Sequence, residues 1–221
     1  ALGELSSALN AFQTAMKDLN SAALFEKRTA TSSNKDALTA TVGKTAAAGS
    51  YSVEVKSLAT SSKVATAVVD KDFKSVDSES SLTVKLGADG SALNVNIAAN
   101  SDLASIRDQI NSQLKDQGIS ANIIKDPATG DSRLVFSSNE TGTGKDIVVS
   151  SDDTTLSKLA VDGGQALNTS VAGSAGYITQ SKNAVFSIDG LELQSATNKV
   201  ADAIPDVTFD LLAKTEADKP L

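Results

Sequence analysis

Residues 81–98, with the sequence SLTVKLGADGSALNVNIA, contain two runs of alternating apolar and polar residues separated by a short turn. An apolar side chain at every second position is typical of a strand with one buried face. The apolar positions are Leu82, Val84 and Leu86 in the first run and Leu93, Val95 and Ile97 in the second. The glycines and aspartate of GADGS suit a tight turn. The stretch therefore predicts a β-hairpin.

The chain beyond this hairpin changes from a period of two to a helical period. Residues 100–118, NSDLASIRDQINSQLKDQG, carry an apolar stripe of Leu103, Ile106, Ile110 and Leu114. Ser101 or Asp102 can cap the start of this helix, and Gly118 can end it. The strands ISANII (119–124) and RLVFSS (133–138) follow, joined by a turn at 126–131, and DIVVSS (146–151) is one more candidate. The whole block predicts an α+β unit.

Both flanks of this block also alternate with a period of two. ALTATV (37–42), YSVEVKSLA (51–59) and SKVATAVVD (62–70) predict strands before it. AVFSIDGLELQ (184–194) predicts a second hairpin with Asp-Gly at its turn, and DVTFDLLAK (206–214) predicts a further strand. We expect NKVADAIPDV (198–207) to be a connection, with Pro205 excluding a helix. Within residues 151–181, only LSKLAV (156–161) is predicted to be firmly ordered.

The N-terminal stretch predicts one helix over residues 1 to about 25, followed by a polar linker. Its apolar residues are spaced alternately by three and four, as in a heptad seam. These residues are Leu2, Leu5, Leu9, Phe12, Met16 and Leu19. Such a stripe needs a covering surface. Either the helix packs on its own domain, or a helix outside this chain or in another subunit completes an assembly seam.

Composition narrows the function. The 221 residues allow two modest domains or one domain with an insert. The net charge of −7 gives no basic surface for nucleic acid or an anionic membrane, and the apolar runs are too short for a membrane helix. No cysteine or histidine is present, which removes disulfides, thiolate nucleophiles and the commonest general base. We therefore expect no enzyme, cofactor or metal site.

Three stretches partly resemble phosphate-binding or calcium-binding loops, but none has the required pattern. NETGTGKD (139–146) ends like a phosphate loop, but Asn139 replaces the first glycine and Asp146 replaces the magnesium-binding hydroxyl. The acidic stretches 70–79 and 151–155 lack the alternating ligands, central glycine and terminal glutamate of a calcium loop. The first motif is interpreted as a flexible loop between two strands, and the two acidic stretches are interpreted as solvated loops.

The order of several stretches resembles the flagellar filament-capping family, also called hook-associated protein 2 or FliD. LGELSSALNAFQTAMKDL resembles its N-terminal coiled-coil helix, and YSVEVKSLA its following segment. Residues 82–142 resemble the hook-type insert shared with flagellins, and NAVFSIDGLELQSATNKVADAIPDVTFDLL the start of its C-terminal half. The resemblance covers nearly the whole chain.

The resemblance implies an α+β fold, mostly β, in which a coiled-coil-type helix precedes two β-rich head domains and the outer domain is inserted into the inner one. The implied domains are a leg helix with linker (1–36), a discontinuous inner domain (37–75 plus 176–215) and an outer domain (76–175). In the family the first helix packs on C-terminal helices of the same protein. Since the chain begins without an initiator methionine and ends at EADKPL, we expect a fragment comprising the head and part of one leg.

The resemblance also implies a function outside the cell. The resemblance implies that the protein is exported from the cell through the flagellar type III apparatus, with the help of its chaperone and without a cleaved signal peptide. It then forms a ring-like homo-oligomer at the filament tip, where it promotes flagellin folding, insertion and retention. The alternative is an adhesin that binds host mucin or glycans. Its contacts would be the loops 87–92, 126–132 and 138–146, because loops on a rigid scaffold often carry recognition.

Overall fold

The computed structural model describes residues 2–20 and 28–216. Within these described residues, the α-helices are α1 (Leu2–Leu19) and α2 (Leu103–Leu114), and short 3₁₀ turns cover Lys115–Gln117 and Leu156–Leu159. The strands in chain order are β1 (Leu38–Val42), β2 (Val53–Ser57), β3 (Ser61–Ala65), β4 (Ser80–Leu86), β5 (Leu93–Ile97), β6 (Ile119–Lys125), β7 (Ser132–Thr141), β8 (Ile147–Ser150), β9 (Val161–Asp162), β10 (Gly176–Thr179), β11 (Ala184–Ile188), β12 (Leu191–Ser195), β13 (Lys199–Ile204) and β14 (Val207–Leu211).

These strands form four small antiparallel sheets in the described part of the chain. Two sheets have four strands each, in the orders β10-β3-β7-β6 and β5-β4-β8-β9. The other two have three strands each, in the orders β1-β14-β13 and β12-β11-β2. The first pair encloses a larger hydrophobic core, and the second pair encloses a smaller one.

The larger core is built from the middle of the chain. Alternate residues of β4 and β5 face inward, so that Leu82 lies opposite Val95 and Val84 opposite Leu93. Phe136 on β7 is fully buried, as are Ile106 and Ile110 on α2. Leu156 and Leu159 of the second 3₁₀ turn complete the packing. The apolar stripe of α2 therefore packs in this core, and the helix lies beside the edge strands β5 and β6 of the two four-stranded sheets.

The smaller core is built from residues on both sides of this middle segment. β1 pairs with β14, and β2 pairs with β11, so residues near position 40 lie beside residues near position 210. Its central side chains are Val55, Phe186 and Phe209, each of which is buried. Since the larger core comes from the intervening residues, one β-rich unit is inserted into the other. The predicted α+β, mostly β fold with an N-terminal helix and an inserted unit is confirmed.

The predicted domain borders (37–75 plus 176–215, and 76–175) remain a prediction. Val64, Val69 and Phe73 pack in the larger core although they precede residue 76. We propose that the border lies near Thr60 and Lys182, where the two chain crossings form a β-bridge. The inserted unit, about residues 61–181 and here called the larger-core unit, would then include every residue of β3. Residues 28–60 and 182–216 would form the smaller-core unit.

Several local predictions are confirmed in detail. The 81–98 hairpin and the 184–194 hairpin both form, with Asp189 and Gly190 at positive φ in the second turn. Asp102, and not Ser101, caps α2, because its carboxylate accepts a hydrogen bond of 2.8 Å from the Ser105 amide. Gly118 ends the following 3₁₀ turn in the left-handed conformation. Helix α1 is described only to Leu19, and residues 21–25 of the predicted helix lie outside the described residues.

Two stretches differ from the sequence prediction. Residues 199–204, expected as a connection, form β13, whose alternation is interrupted by a register shift between Ala201 and Ile204 and by a positive φ at Asp202. The predicted strand over 62–70 ends at Ala65.

Residues 151–181 carry more order than expected. They contain β9 and β10, which pair with β8 and β3. The Arg133 guanidinium helps to hold this region, since it donates hydrogen bonds of 2.5–3.0 Å to three backbone carbonyls, those of Thr66, Val171 and Ser174. These long-range contacts explain order in a stretch of weak local signals.

Helix α2 also seals the outer edges of two sheets with amide side chains. Asn111 accepts from the Ala121 amide at 2.7 Å and donates to the Ala121 carbonyl at 2.9 Å, on edge strand β6. Gln113 makes the same double contact with Asn96 on edge strand β5, at 2.9 and 2.8 Å. Each amide therefore replaces part of a neighbouring strand. Covered edges protect a β protein from pairing with other chains.

We expect Asn111→Ala to lower the free energy of unfolding by about 2 kcal/mol, because two partly buried backbone groups of Ala121 lose their partner. Urea denaturation followed by far-UV circular dichroism measures the loss. Ser112→Ala, at an exposed position of the same helix, is the control and should change stability by less than about 0.5 kcal/mol. Equal stability of the two variants would contradict the edge-sealing role.

Candidate assembly surface

Helix α1 presents an uncovered apolar stripe. Its 18 residues give a length of about 27 Å. Leu9, Phe12 and Met16 are 57%, 62% and 50% exposed, respectively. Because they are spaced by three and four residues, they share one face of the helix. Three large apolar side chains on a single solvent-facing stripe are what a helix shows when its partner surface is absent.

The other three predicted seam residues lie in the same helix. Leu2, Leu5 and Leu19 fall within α1 as its backbone is described, at the heptad spacing that continues the stripe, but their side chains lie outside the description. The structure thus brings all six seam positions onto one helix. Their role in leg packing or oligomer assembly remains a prediction.

A groove of about 690 Å³ lies on the smaller-core unit, where the described chain resumes after residue 27. The Arg28 guanidinium donates a hydrogen bond to the Ala46 carbonyl on its wall. Further lining residues include Ala48, Tyr51 and Phe209. This groove was not predicted from the sequence. Its one local signal is the small-residue run GKTAAAGS (43–50), which indicated only a turn.

Asp206 fastens the loop beside this groove. It stands at positive φ in the β13–β14 turn, and its carboxylate accepts hydrogen bonds of 2.7 Å from both the amide and the hydroxyl of Thr45. These hydrogen bonds lower the pKa of Asp206, and Arg28 adds a smaller electrostatic effect in the same direction. Gly43 lies opposite, and an added Cβ there would displace the Asp206 carboxylate, because it would lie 1.9 Å from one of the carboxylate oxygens.

The Asp206–Thr45 contact predicts a pH dependence. Because folding lowers the pKa of Asp206, its stabilisation is present above the unfolded-state pKa and is lost as pH falls through the folded-state pKa. The free energies of unfolding of wild type and Asp206→Asn should therefore converge between about pH 5 and pH 2. Urea titrations at stepped pH measure this. Asp202→Asn, on the same hairpin but without the Thr45 contact, controls for the lost charge, and a constant difference for Asp206→Asn would contradict the prediction.

The three loops named for the adhesin hypothesis do not meet at one place. The loops 87–92 and 138–146 are neighbours, since the Gly87 amide donates to the Asp146 carbonyl at 2.8 Å. The turn 126–132 lies at the other end of β7, a strand of ten residues and thus about 33 Å long. A single ligand site made from all three loops is therefore not formed.

Neither a metal-ligand cluster nor a membrane-spanning helix is found in the described residues. No cluster of three or more acidic, cysteine or histidine side chains in residues 2–20 and 28–216 is arranged to hold a metal ion. Within the same residues, no helix has the length and apolar character needed to span a membrane. The exposed stripe of α1 is the candidate functional surface.

Three parts of the chain match known protein families. Residues 1–62 match the family described as Flagellar hook-associated protein 2 N-terminus, and residues 181–221 match Flagellar hook-associated protein 2 C-terminus. Residues 81–140 match the Flagellin hook IN motif. The crystal structure of FliD (HAP2) from Pseudomonas aeruginosa PAO1 is 39% identical, covers 84% of this chain and 82% of its own, and superposes with a TM-score of 0.73. The chain belongs to the flagellar hook-associated protein 2 family.

Other members of the hook-associated protein 2 family agree. The A-type flagellar hook-associated protein 2 of P. aeruginosa is 44% identical over 227 residues, covering 100% of this chain and 47% of the relative. The crystal structure of the flagellar cap protein FliD D1-D2-D3 domains from Escherichia coli is 32% identical, with a TM-score of 0.74, over 97% of this chain and 59% of that one. The chain spans about half the length of the curated relatives it matches.

Proposed function

We propose that the protein is a flagellar filament cap: a homo-oligomer at the filament tip that promotes the folding, insertion and retention of flagellin. The observation that carries the proposal is the similarity to a solved FliD across 84% of the chain, at 39% identity. The similarity runs through both β-rich units, beyond the hook motif at residues 81–140 alone. The proposed role is structural, and we propose no catalytic activity.

The exposed stripe of α1 supplies the proposed means of assembly. Leu9, Phe12 and Met16 would be buried against helices from the C-terminal part of the same protein or from a neighbouring subunit. Burial of large apolar side chains is the main source of association energy in a helical seam. We propose that the six-residue seam holds the leg together and thereby positions the β-rich head at the tip.

The proposed partners follow from this role. They are further copies of the protein, flagellin, and the flagellar type III export apparatus with its chaperone. Absence of cysteine in all 221 residues suits a chain that crosses the export channel unfolded and folds outside the cell. The proposed location is the distal end of the extracellular filament, reached without a cleaved signal peptide.

Deletion of the gene tests the proposal. A strain without the protein should be non-motile, with short or absent filaments, and should release monomeric flagellin into the medium. Reintroduction of the gene should restore both filaments and motility. A deletion strain that retains full-length filaments and releases no more flagellin than wild type would rule out the capping role.

Adhesion stays a hypothesis of lower rank. The loops proposed for it lie at both ends of β7, and Tyr51 and Tyr177 are the only tyrosines in a chain without tryptophan. Sugar-binding sites commonly rely on such aromatic rings for stacking. A glycan array probed with the purified chain tests the hypothesis, and an array without hits would remove it.

A further inference from the structure

The larger-core and smaller-core units are connected by two neighbouring chain crossings. The chain passes from β2 to β3 at Thr60 and returns from β10 to β11 at residues 180–183. Thr60 and Lys182 exchange backbone hydrogen bonds of 3.0 and 3.1 Å, and the Thr60 hydroxyl donates to the Gln180 carbonyl at 2.8 Å. Two adjacent crossings alone resemble a hinge, and relative motion is the default for units joined in this way.

A third connection comes from the loop between β7 and β8. Thr141, the last residue of β7, and the loop residues 142–146 are here called the bridging loop, which contains most of the 139–146 motif that does not fit a phosphate loop. The Thr143 amide donates to the Asn183 side-chain oxygen at 2.9 Å, and the Asn183 amide donates to the Thr143 hydroxyl at 3.2 Å. Closer to the larger core, the Lys145 amide donates to the Ser181 hydroxyl at 3.0 Å, and the Ser181 amide to the Asp146 carboxylate at 2.7 Å.

The bridging loop also contacts the residue that follows β12. The Thr141 hydroxyl donates to the carbonyl of Ala196, the residue after β12, at 2.6 Å. Asn183 extends this contact, because its side-chain amide donates to Gln194 on β12 at 3.3 Å. Since β12 and β2 lie on opposite sides of β11, the contact widens the junction from two strands to three.

Gly142 permits the close approach. Its φ is +105°, a conformation that other residues rarely adopt, and an added Cβ would lie 2.9 Å from the Ala196 Cβ and 3.2 Å from the Ala196 carbonyl oxygen. Gly144, two residues on, also has a positive φ (+83°), but a Cβ there would meet nothing within 4 Å. The two glycines therefore share backbone strain and differ in contact with the smaller-core unit.

We propose that the bridging loop is a strut that locks the orientation of the larger-core unit on the smaller-core unit. The two crossings supply the connection, and the loop removes the rotation that they would allow. The polar and glycine residues of the loop act by pairing with Asn183, Ser181 and Ala196, so its backbone amides are engaged in the junction. The proposal concerns the head alone and does not depend on the capping role.

Spin-label distance measurement on the 221-residue chain tests the strut. The chain has no cysteine, so Ile124→Cys on the larger-core unit and Leu191→Cys on the smaller-core unit provide the label pair. Both positions are well exposed, at 58% and 71%. The doubly labelled parent should give one narrow distance distribution. Gly142→Ala should widen it about twofold or more, as for units that move independently.

Gly144→Ala is the matched control, because it introduces the same strain without the clash and should keep the parent's narrow distribution. Two milder variants, Thr141→Val and Asn183→Ala, each remove hydrogen bonds of the strut without adding bulk and should also broaden the distribution. Circular dichroism establishes that each variant is folded. A broad distribution in the parent, or unchanged widths in Asn183→Ala and Thr141→Val, would overturn the proposal.

Discussion

Phe12→Glu, made in the protein as the bacterium produces it, should abolish motility and oligomer assembly. Phe12 is 62% exposed on α1, at the centre of the proposed seam. Burying its ring would contribute about 2 kcal/mol, and forcing a carboxylate into the same interface costs several kcal/mol more. Together, these losses correspond to a weakening of assembly by about 1,000-fold or more. Analytical ultracentrifugation and swimming assays measure the two effects.

Ser7→Glu is the matched control for this prediction. Ser7 is exposed on α1 at the heptad position opposite the seam, so the same charge should leave assembly and motility unchanged. Leu9→Glu should behave like Phe12→Glu, because the two side chains share the stripe. Normal oligomers and normal swimming in both seam variants would show that α1 packs through another face.

Phe136→Ala should destabilise the larger-core unit by about 3–5 kcal/mol, the usual cost of deleting a buried aromatic ring. Phe136 is fully buried on β7, the central strand that pairs with both β3 and β6. The cavity would open at the centre of the sheet, where the surrounding strands have little room to collapse. Urea denaturation measures the change in unfolding free energy.

The two tyrosines allow each unit to be followed separately. Tyr177 packs against the larger core, whereas Tyr51 lines the groove of the smaller-core unit, and no tryptophan obscures their fluorescence. In Tyr51→Phe, the remaining signal should report the full effect of Phe136→Ala. In Tyr177→Phe, Phe136→Ala should move the transition less, while Phe186→Ala in the smaller core should move it strongly. Identical shifts of both reporters would mean that the two cores unfold as one.

Local patterns were sufficient for the hairpins and for α2. The 81–98 and 184–194 hairpins form because strict alternation and Gly-containing turns agree on one register. The stripe of α2 and its Asp102 cap are equally local signals, since every residue involved lies within twelve positions. These features require no knowledge of distant parts of the chain.

The features that were missed depend on distant contacts. β13 carries a register shift and a positive φ at Asp202, so its sequence does not alternate. β10 is ordered by pairing with β3, more than one hundred positions earlier in the chain. The sequence indicates only a flexible loop at 139–146, because Asn183 and Ala196 lie 40 and 55 positions beyond their partners Thr143 and Thr141.

The candidate surface also combines a local feature that the sequence predicts with features that depend on distant residues. The heptad spacing of α1 was visible in the sequence, and the exposure of Leu9, Phe12 and Met16 agrees with an uncovered stripe. The partner of the stripe cannot be deduced from spacing alone, because any complementary helix would cover it. The groove beside Arg28 was not foreseen, since its walls come from residues 28–53 and 207–209, which meet only in the folded unit.

Immunogold electron microscopy of intact flagella, with antibody raised against this chain, tests the capping role most directly. We expect gold at the distal tip of each filament and along no other part of its length. Gold along the whole filament would instead indicate a flagellin-like or sheath subunit. Gold on the cell surface, with none on the flagella, would equally exclude the capping role and favour the adhesin hypothesis.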